Sequence, residues 1–497
     1  MSTQWPVLIV ILPFLFGLFA TIIGSFKKDW ALPTIIIGLM GSFIAALKTL
    51  CLVAEKDQII YKLAGWSYKK FPIGIEYAVD HLNAIVLVMI TFVALLVAFY
   101  SKHSVEKELP ENKVAFYTLF SMLITGLTGM TITGDAFNLY VLIEIAALSS
   151  YALIAFGRSK AYLATFNYLI MGSIGACFYL LGVGYVFLKT GALNMGEISM
   201  MTVALHGSKA FFIGFIFIMI GVWVKMAFFP LHSWLPNAYT YAPTATSCLV
   251  APLMTKVSVY IMLRMMVTVF SVDYTFNVLQ LQQGVMILAV IAILVGSAYA
   301  LLQRNLKKML TYLVVAEIGY MVGGAWLGNK AGLVGATYHI LADGLMTVCL
   351  FMAVGAIYYK LGSVSFDKLD GLMQKMPITM VGFLVAAFSM IGIPPTSGFF
   401  SKWYLIKGGI IAEQWFFVSA LIISSFINAI LFFRIIEIAY FGHLKDGQAH
   451  DTYKRDEAPL SMLIPLLISA VAIVGLGLFT NEVVTNFIVP IIPNAWL

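Results

Sequence analysis

The chain has 497 residues, 61% of them hydrophobic and only 11% charged, with a formal net charge of +7. That balance excludes a soluble core and places the chain among polytopic membrane proteins. The basic excess lies mostly in short loops, so it points to no nucleic-acid partner. Cys51, Cys177, Cys248 and Cys349 each stand alone in apolar sequence, so neither a zinc site nor an iron–sulfur cluster is readable. No G-x-G-x-x-G or P-loop pattern marks a nucleotide site.

Apolar runs predict an all-α protein with about fourteen membrane spans: 5–25, 31–53, 80–100, 114–133, 136–156, 162–188, 211–241, 244–268, 280–302, 309–327, 331–358, 378–411, 415–441 and 459–480. Residues 1–25 lack a basic n-region and an A-x-A site, so they read as a retained helix and not a signal peptide. The longest connections, 54–79, 189–210 and 442–458, are too short for a further soluble domain. The last carries His443, Lys445, His450, Asp451, Lys454, Arg455, Asp456 and Glu457 and reads as a solvated loop. With the N-terminus outside, sixteen Lys and Arg fall in inner loops against seven in outer ones. The positive-inside rule then sets both termini on the outer face of a cell (inner) membrane.

Two of these spans are broken. Pro230 and Pro236 interrupt span seven after Lys225, and Pro394-Pro395 interrupt span twelve before Lys402. Span five holds Glu144 and span ten holds Glu317, 81 and 85 residues ahead of those lysines. Spans 4–8 and 9–13 start on opposite faces. Matched broken helices in such units indicate two inverted five-helix repeats with a transport path at their interface. The expected division is 1–110 (three helices), 111–270 (first repeat), 271–441 (second repeat) and 442–497 (inner loop and final helix).

The charges inside the spans are the candidate site. A buried charge costs at least about 2.5–3.5 kcal/mol at the bilayer centre, so each invites a functional reading. Glu144 has no charged neighbour along its helix, and Lys225 is its natural partner. A nearby carboxylate favours a charged lysine and burial favours a neutral one. Moving the carboxylate would therefore make the lysine hold or release a proton; the plainer reading is a static pair tying two helices. Lys256 is either the next station or helix-packing glue. His339 and Asp343 share a helix face at i and i+4 and read as a relay. Glu317 is a relay carboxylate or a lysine's partner, and Lys402 is the far end of the path. Asp135 either caps span five or takes part. His232, between Pro230 and Pro236, would organise the exposed backbone of the break. Arg434 and Glu437 read as a pair near the inner face.

The segment KMAFFPLHSWLPNAYTYAPTATSCLVAPLMTKVSVYIMLR resembles the signature of antiporter-like proton-channel subunits. Such subunits occur in respiratory complex I, in Mrp-type sodium/proton antiporters and in complex I-related membrane-bound hydrogenases. DAFNLYVLIEIAALSSYALIAFG, LKKMLTYLVVAEIGYM, YHILADGLMTVCLF and GIPPTSGFFSKWYLIKGG resemble the same family, so the likeness covers about residues 75–440. It implies fourteen helices, two inverted five-helix repeats and a polar axis at mid-membrane. It also implies that Glu144 and Lys225 form a modulating pair, that Lys256 passes a proton to His339, and that Lys402 is the terminal lysine. A lysine in span twelve is closer to the N type of complex I and the D type of Mrp antiporters than to the M type of complex I. The chain departs from the family pattern in three places. Asp343 stands where a second histidine is common, Thr347 where a lysine is common, and Glu317 where a small polar residue or histidine is usual. Asp343 and Glu317 are expected to fill that gap.

The resemblance implies a proton-translocating subunit of a redox-driven complex. The partners would be further antiporter-like membrane subunits, and the transported ions H+ with or without Na+. Cofactors would lie outside this chain, as iron–sulfur clusters, with a nickel site or flavin as further options, in partner subunits. The other reading is a D-type component of an Mrp multisubunit Na+/H+ antiporter without redox chemistry. An inert scaffold is the weakest reading, given so many buried charges.

Overall fold

The computed structural model describes residues 4–63, 74–157, 160–441, 455–493 and 496. Arg158, Lys69, Lys70, His443, Lys445, His450, Asp451 and Lys454 lie outside the described residues. In chain order the helices are α1 (Trp5–Phe26), α2 (Ala31–Lys56), α3 (His81–Glu108), α4 (Lys113–Ile132), α5 (Ala136–Ala155) and α6 (Lys160–Thr190). Next come α7 (Met195–Met201), α8 (Lys209–Met226), α9 (Leu235–Tyr241), α10 (Thr244–Arg264), α11 (Gln282–Leu301), α12 (Leu306–Trp326) and α13 (Lys330–Leu361). They are followed by α14 (Leu372–Lys375), α15 (Pro377–Ile391), α16 (Ser397–Ile411), α17 (Trp415–Phe441) and α18 (Leu460–Leu478).

Among the described residues, thirteen helices are long and apolar enough to cross a membrane. The fourteenth expected span is the twelfth, which consists of two 15-residue halves, α15 and α16. The seventh span is likewise split, into α8 and α9. The all-α multi-pass architecture is therefore as the hydropathy pattern predicts.

The two units pack in matching order. α4 lies on α5 as α11 lies on α12. α6 contacts both halves of the seventh span, and α13 both halves of the twelfth. The two breaks also share a backbone form. α8 ends on Ala227 with φ +61°, three residues before the cis Phe229–Pro230 bond. α15 ends on Gly392 with φ +96°, three residues before the cis Pro394–Pro395 bond. A left-handed residue ends a helix by turning its last carbonyls away from the axis. Ala227 does so without glycine's freedom, at a cost of roughly 1–2 kcal/mol.

Burial separates the helices into classes. The apolar windows of α10 and α13 are 100% buried and that of α12 is 94% buried, against 39% for α1, α2 and α6. A helix apolar on all sides belongs inside a bundle. These three interior helices carry Lys256, Glu317, His339 and Asp343.

The connections hold more structure than their composition suggests. Between α2 and α3, β1 (Gln58–Lys62) pairs antiparallel with β2 (Glu76–Asp80). β2 delivers Asp80 to the N-cap of α3, where its carboxylate accepts the N–H groups of Leu82 and Asn83. Connection 189–210 contains α7. In the connection after α17, Asp456 and Glu457 are docked and not merely solvated. Asp456 pairs with Lys360, and Glu457 accepts from Ile378 N and Thr379 Oγ1 at the start of α15. A helix start leaves free N–H groups, and a carboxylate is their natural partner. Arg434 stacks its guanidinium over the Phe366 ring, 5.7 Å from the centroid.

Candidate functional site

Glu144 on α5 and Lys225 in the last turn of α8 come together as the composition of their helices requires. Lys225 Nζ lies 3.5 Å from Glu144 Oε1, with the lysine 6% and the glutamate 27% exposed. The cation sits at the C-terminal end of α8, where the helix dipole favours positive charge. The break beside it is closed within the protein. Val224 O accepts Trp234 Nε1 at 3.1 Å, and Trp223 O accepts Phe228 N at 3.0 Å. Pro230 and Pro236 thus bound a loop whose freed backbone groups find protein partners, as a span interior demands. His232 lies flat on Phe229, ring centroids 5.3 Å apart. Its Nδ1 finds no partner among the described residues.

Asp135 is a cap. It accepts the Asn138 N–H at 2.6 Å and starts α5. Burial raises its carboxyl above the usual range, against the opposing pull of the cap N–H groups.

Lys256 on α10 turns to the other side. Its Nζ lies 2.8 Å from Asp343 Oδ2, and neither side chain has any exposed surface. It also donates to Ala251 O at 3.2 Å and lies 3.4 Å from Thr347 Oγ1. Thr347 in turn donates to Asp343 Oδ1 at 2.7 Å. The expected His339–Asp343 relay is therefore divided. The two residues share a face of α13, but each reaches a different helix. His339 Nε2 meets Glu317 Oε2 on α12 at 2.6 Å, and its Nδ1 meets Ser401 Oγ on α16 at 2.8 Å. Glu317 is a histidine's partner here, and Asp343 is a lysine's.

Lys402 completes the row. Its ammonium donates to Met390 O at 2.6 Å and Ser425 Oγ at 3.1 Å, and lies 5.2 Å from the Tyr320 ring centroid. Met390 is in the last turn of α15. Lys402 follows its break in sequence, yet its charge serves the C-terminal carbonyls ahead of it. Both break lysines thus sit at the negative end of the first half-helix of their span. Pro394 and Pro395 stand in the break, where the first turn of α16 packs against the last turn of α15.

Three linked groups result: Glu144–Lys225, then Lys256–Asp343–Thr347, then Glu317–His339–Ser401 with Lys402. α10 stands between the first two. A cavity of about 10 Å³, one water in size, lies beside Lys225 against Met254 and Ser258 of α10. Lys256 is two residues from each of these, about 200° around the helix, and so faces α13. Ser401, Ser425 and Tyr320 are not legible as site residues in the sequence, because hydroxyls in apolar helices carry no pattern of their own. Among the described residues no group of three or more His, Cys, Asp or Glu could hold a metal, and all four cysteines are free.

A fourteen-span bundle with two matched broken helices and a buried row of lysines and carboxylates defines an antiporter-like membrane subunit. The family model described as NADH:quinone oxidoreductase/Mrp antiporter, transmembrane, matches residues 133–428, and one for the complex I chain 5 N-terminus matches 66–104. The chain belongs to this family. It is 38% identical over 500 residues to NADH-quinone oxidoreductase subunit N of Desulforudis audaxviator strain MP104C, covering 98% of each chain. It is 30% identical to the D subunit of the Na(+)/H(+) antiporter of Bacillus subtilis strain 168, over 77% of this chain and 76% of that one. Among solved structures, a chain of the membrane-bound sulfane sulfur reductase, an archaeal respiratory membrane complex, superposes with TM-score 0.89 at 26% identity over 98% of both chains. A chain of the Mrp complex from Dietzia sp. DQ12-45-1b has the same fold, with TM-score 0.87 at 22% identity over 98% of this chain and 97% of that one. The protein is a multi-pass antiporter-like subunit of the complex I-related and Mrp class.

Proposed function

We propose that this chain is the proton-translocating subunit of a complex I-related, redox-driven pump. The observation that carries the reading is the row Glu144–Lys225, Lys256–Asp343, Glu317–His339 and Lys402, whose middle members lie on the most enclosed helices, α10, α12 and α13. Electron transfer would occur on iron–sulfur clusters, with or without nickel or flavin, in partner subunits, and other antiporter-like subunits would flank this one. Residues 111–270 and 271–441 would act as two half-units, in a cell membrane with both termini outside.

In this reading the Glu144–Lys225 pair is the control point. Separation of the pair leaves a buried, uncompensated ammonium, which favours release of its proton. The proton crosses the α10 barrier through transient water and arrives at Lys256. Asp343 and Thr347 hold it there, and His339, flanked by Glu317 and Ser401, carries it toward Lys402. Histidine suits the step because either ring nitrogen can take the proton while the other gives one up. In this reading Asp343 and Glu317, as partners of Lys256 and His339, do the work expected at the positions where the chain departs from the family pattern.

The second reading is an Mrp-type Na+/H+ antiporter component without redox chemistry, favoured by the match to the Bacillus subtilis antiporter chain over three quarters of the sequence. The higher identity to a quinone oxidoreductase subunit supports the first reading. Purification of the intact complex from native membranes in mild detergent, with mass spectrometry and metal analysis, separates them. Co-purifying iron and cluster-bearing subunits support the pump; a metal-free set of small membrane subunits with sodium/proton exchange in vesicles would replace it with the antiporter.

A further inference from the structure

The fold contains a buried hydroxyl cluster that the charged row does not use. Tyr239 of α9, Trp234 of the span-seven break, Tyr168 of α6 and Tyr151 of α5 form one continuous run of ring contacts, face to face for Trp234–Tyr168 and edge to face for the other two pairs. Ring centroids are 6.0 Å apart for Tyr239–Trp234, 3.9 Å for Trp234–Tyr168 and 4.6 Å for Tyr168–Tyr151. All four side chains are buried, at 4% exposure or less. Tyr168 Oη lies 3.4 Å from Ser150 Oγ, but the hydroxyls of Tyr151 and Tyr239 find no partner among the described residues.

Packing alone does not explain those two hydroxyls. Burial of an O–H without a partner is unfavourable, and phenylalanine would fill the same space without it. A place has even been made for one of them: the Tyr151 hydroxyl rests against Gly172 of α6, where any Cβ would collide with it. Where a site has room for it, water is the natural partner of an unpaired buried hydroxyl.

Their position gives the water a purpose. At one end, Ser247 lines a recess of about 350 Å³ and holds the backbone of Tyr239 beside it, donating its hydroxyl to the Tyr239 main-chain carbonyl at 2.9 Å. Glu108, Lys160 and Lys307 also line it, at the ends of spans that the charge count places on the inner face. At the other end, Ser150 and Tyr151 lie on α5 six and seven residues beyond Glu144, about two helical turns toward that same face. Trp234, within the run of rings, donates to Val224 O, next to Lys225.

We propose that Tyr239, Tyr168 and Tyr151, with Ser150 and intervening water, form a hydroxyl relay that brings protons from this recess to Glu144. Each hydroxyl accepts a proton from the water behind it and passes its own to the water ahead. No tyrosine is left charged and no other reactant is needed. The proposal rests on the proton-translocating reading of Glu144 and Lys225, and Trp234 acts as a positioning residue that holds the rings against the break.

The test uses the intact complex in native membrane vesicles, with proton movement followed by a fluorescent pH probe in H2O and in D2O. Tyr151→Phe and Tyr239→Phe should each slow translocation by about tenfold and change the solvent isotope effect, with assembly on native gels unchanged. Ser150→Ala, a truncation the packing tolerates, should slow it in the same sense. Lys225→Ala is the control for the underlying reading. Loss of translocation in Lys225→Ala with wild-type rates and isotope effects in all three hydroxyl variants would overturn the relay and leave that reading intact. Unimpaired translocation in Lys225→Ala would overturn the reading itself.

Discussion

Lys256 Nζ lies 2.8 Å from Asp343 Oδ2 with neither side chain exposed, so the lysine of α10 and the aspartate of α13 form a fully buried ion pair. Removal of one member of a buried pair strands the other, at a cost of about 3–5 kcal/mol. Asp343→Asn should therefore lower the thermal stability of the purified complex and stop translocation. The double variant Lys256→Met with Asp343→Leu should recover the stability, because an apolar pair needs no desolvation of charge. It should still fail to translocate. Melting curves and vesicle transport on the same preparations separate the two effects; full transport in Asp343→Asn would remove this residue from the path.

The Glu144–Lys225 pair is looser, at 3.5 Å, and its glutamate is partly exposed. Its role in fold stability should accordingly be small, and its role in transfer large. Glu144→Gln and Lys225→Ala are expected to assemble normally and to lower the translocation rate by on the order of 10²-fold, the scale of one positioned proton-transfer group. In a redox-driven complex, electron transfer measured in parallel should continue while proton movement is lost. Equal loss of both activities would point to an assembly role for the pair.

The turn in span twelve depends on close approach at Gly398. A Cβ there would run into the backbone carbonyl of Ser389, which cannot move aside as a side-chain tip can. Gly398→Ala should displace α16 from α15, carry Lys402 off the Met390 carbonyl and reduce assembled complex on native gels. Gly184→Ala, which meets nothing within 4 Å, should leave assembly at the wild-type level.

Asp80 joins the β1–β2 pair to the bundle by capping α3 and pairing with Arg264 at the end of α10. Burial opposes ionisation of its carboxyl, but the Arg264 guanidinium and the capping N–H groups outweigh it and hold the carboxyl below its ordinary 3.8. The folded state therefore keeps the carboxylate at acidities where the unfolded chain has protonated it. The resulting stabilisation is fully present above about pH 4 and lost as pH falls through the lower folded value. Wild-type melting temperature should fall more steeply than that of Asp80→Asn as pH drops from about 4 toward 2. Parallel curves would remove the pair from the acid response.

The two broken spans show how far the sequence reaches. Pro230, Pro236 and Pro394-Pro395 announced the breaks, because proline removes a donor wherever it stands. Apolar run length set the number of spans, since a bilayer fixes how many residues must be apolar in a row. The rarity of charge in those runs singled out Glu144, Lys225, Lys256, Glu317, His339, Asp343 and Lys402. Who pairs with whom was a different matter. One helix face holds both His339 and Asp343, yet Glu317 takes the first and Lys256 the second, because side chains reach across to whichever helix packs opposite. Lys225 precedes its break and Lys402 follows its own. Only the fold of α16 against α15 brings both ammonium groups to the same kind of helix end. The pairing of 58–62 with 76–80 and the docking of Glu457 on α15 stayed hidden for the same reason, since both depend on partners distant in sequence. Sequence determined which groups had to be buried, through transfer free energies that act residue by residue. Tertiary structure decided their partners, through contacts between helices that no local pattern encodes.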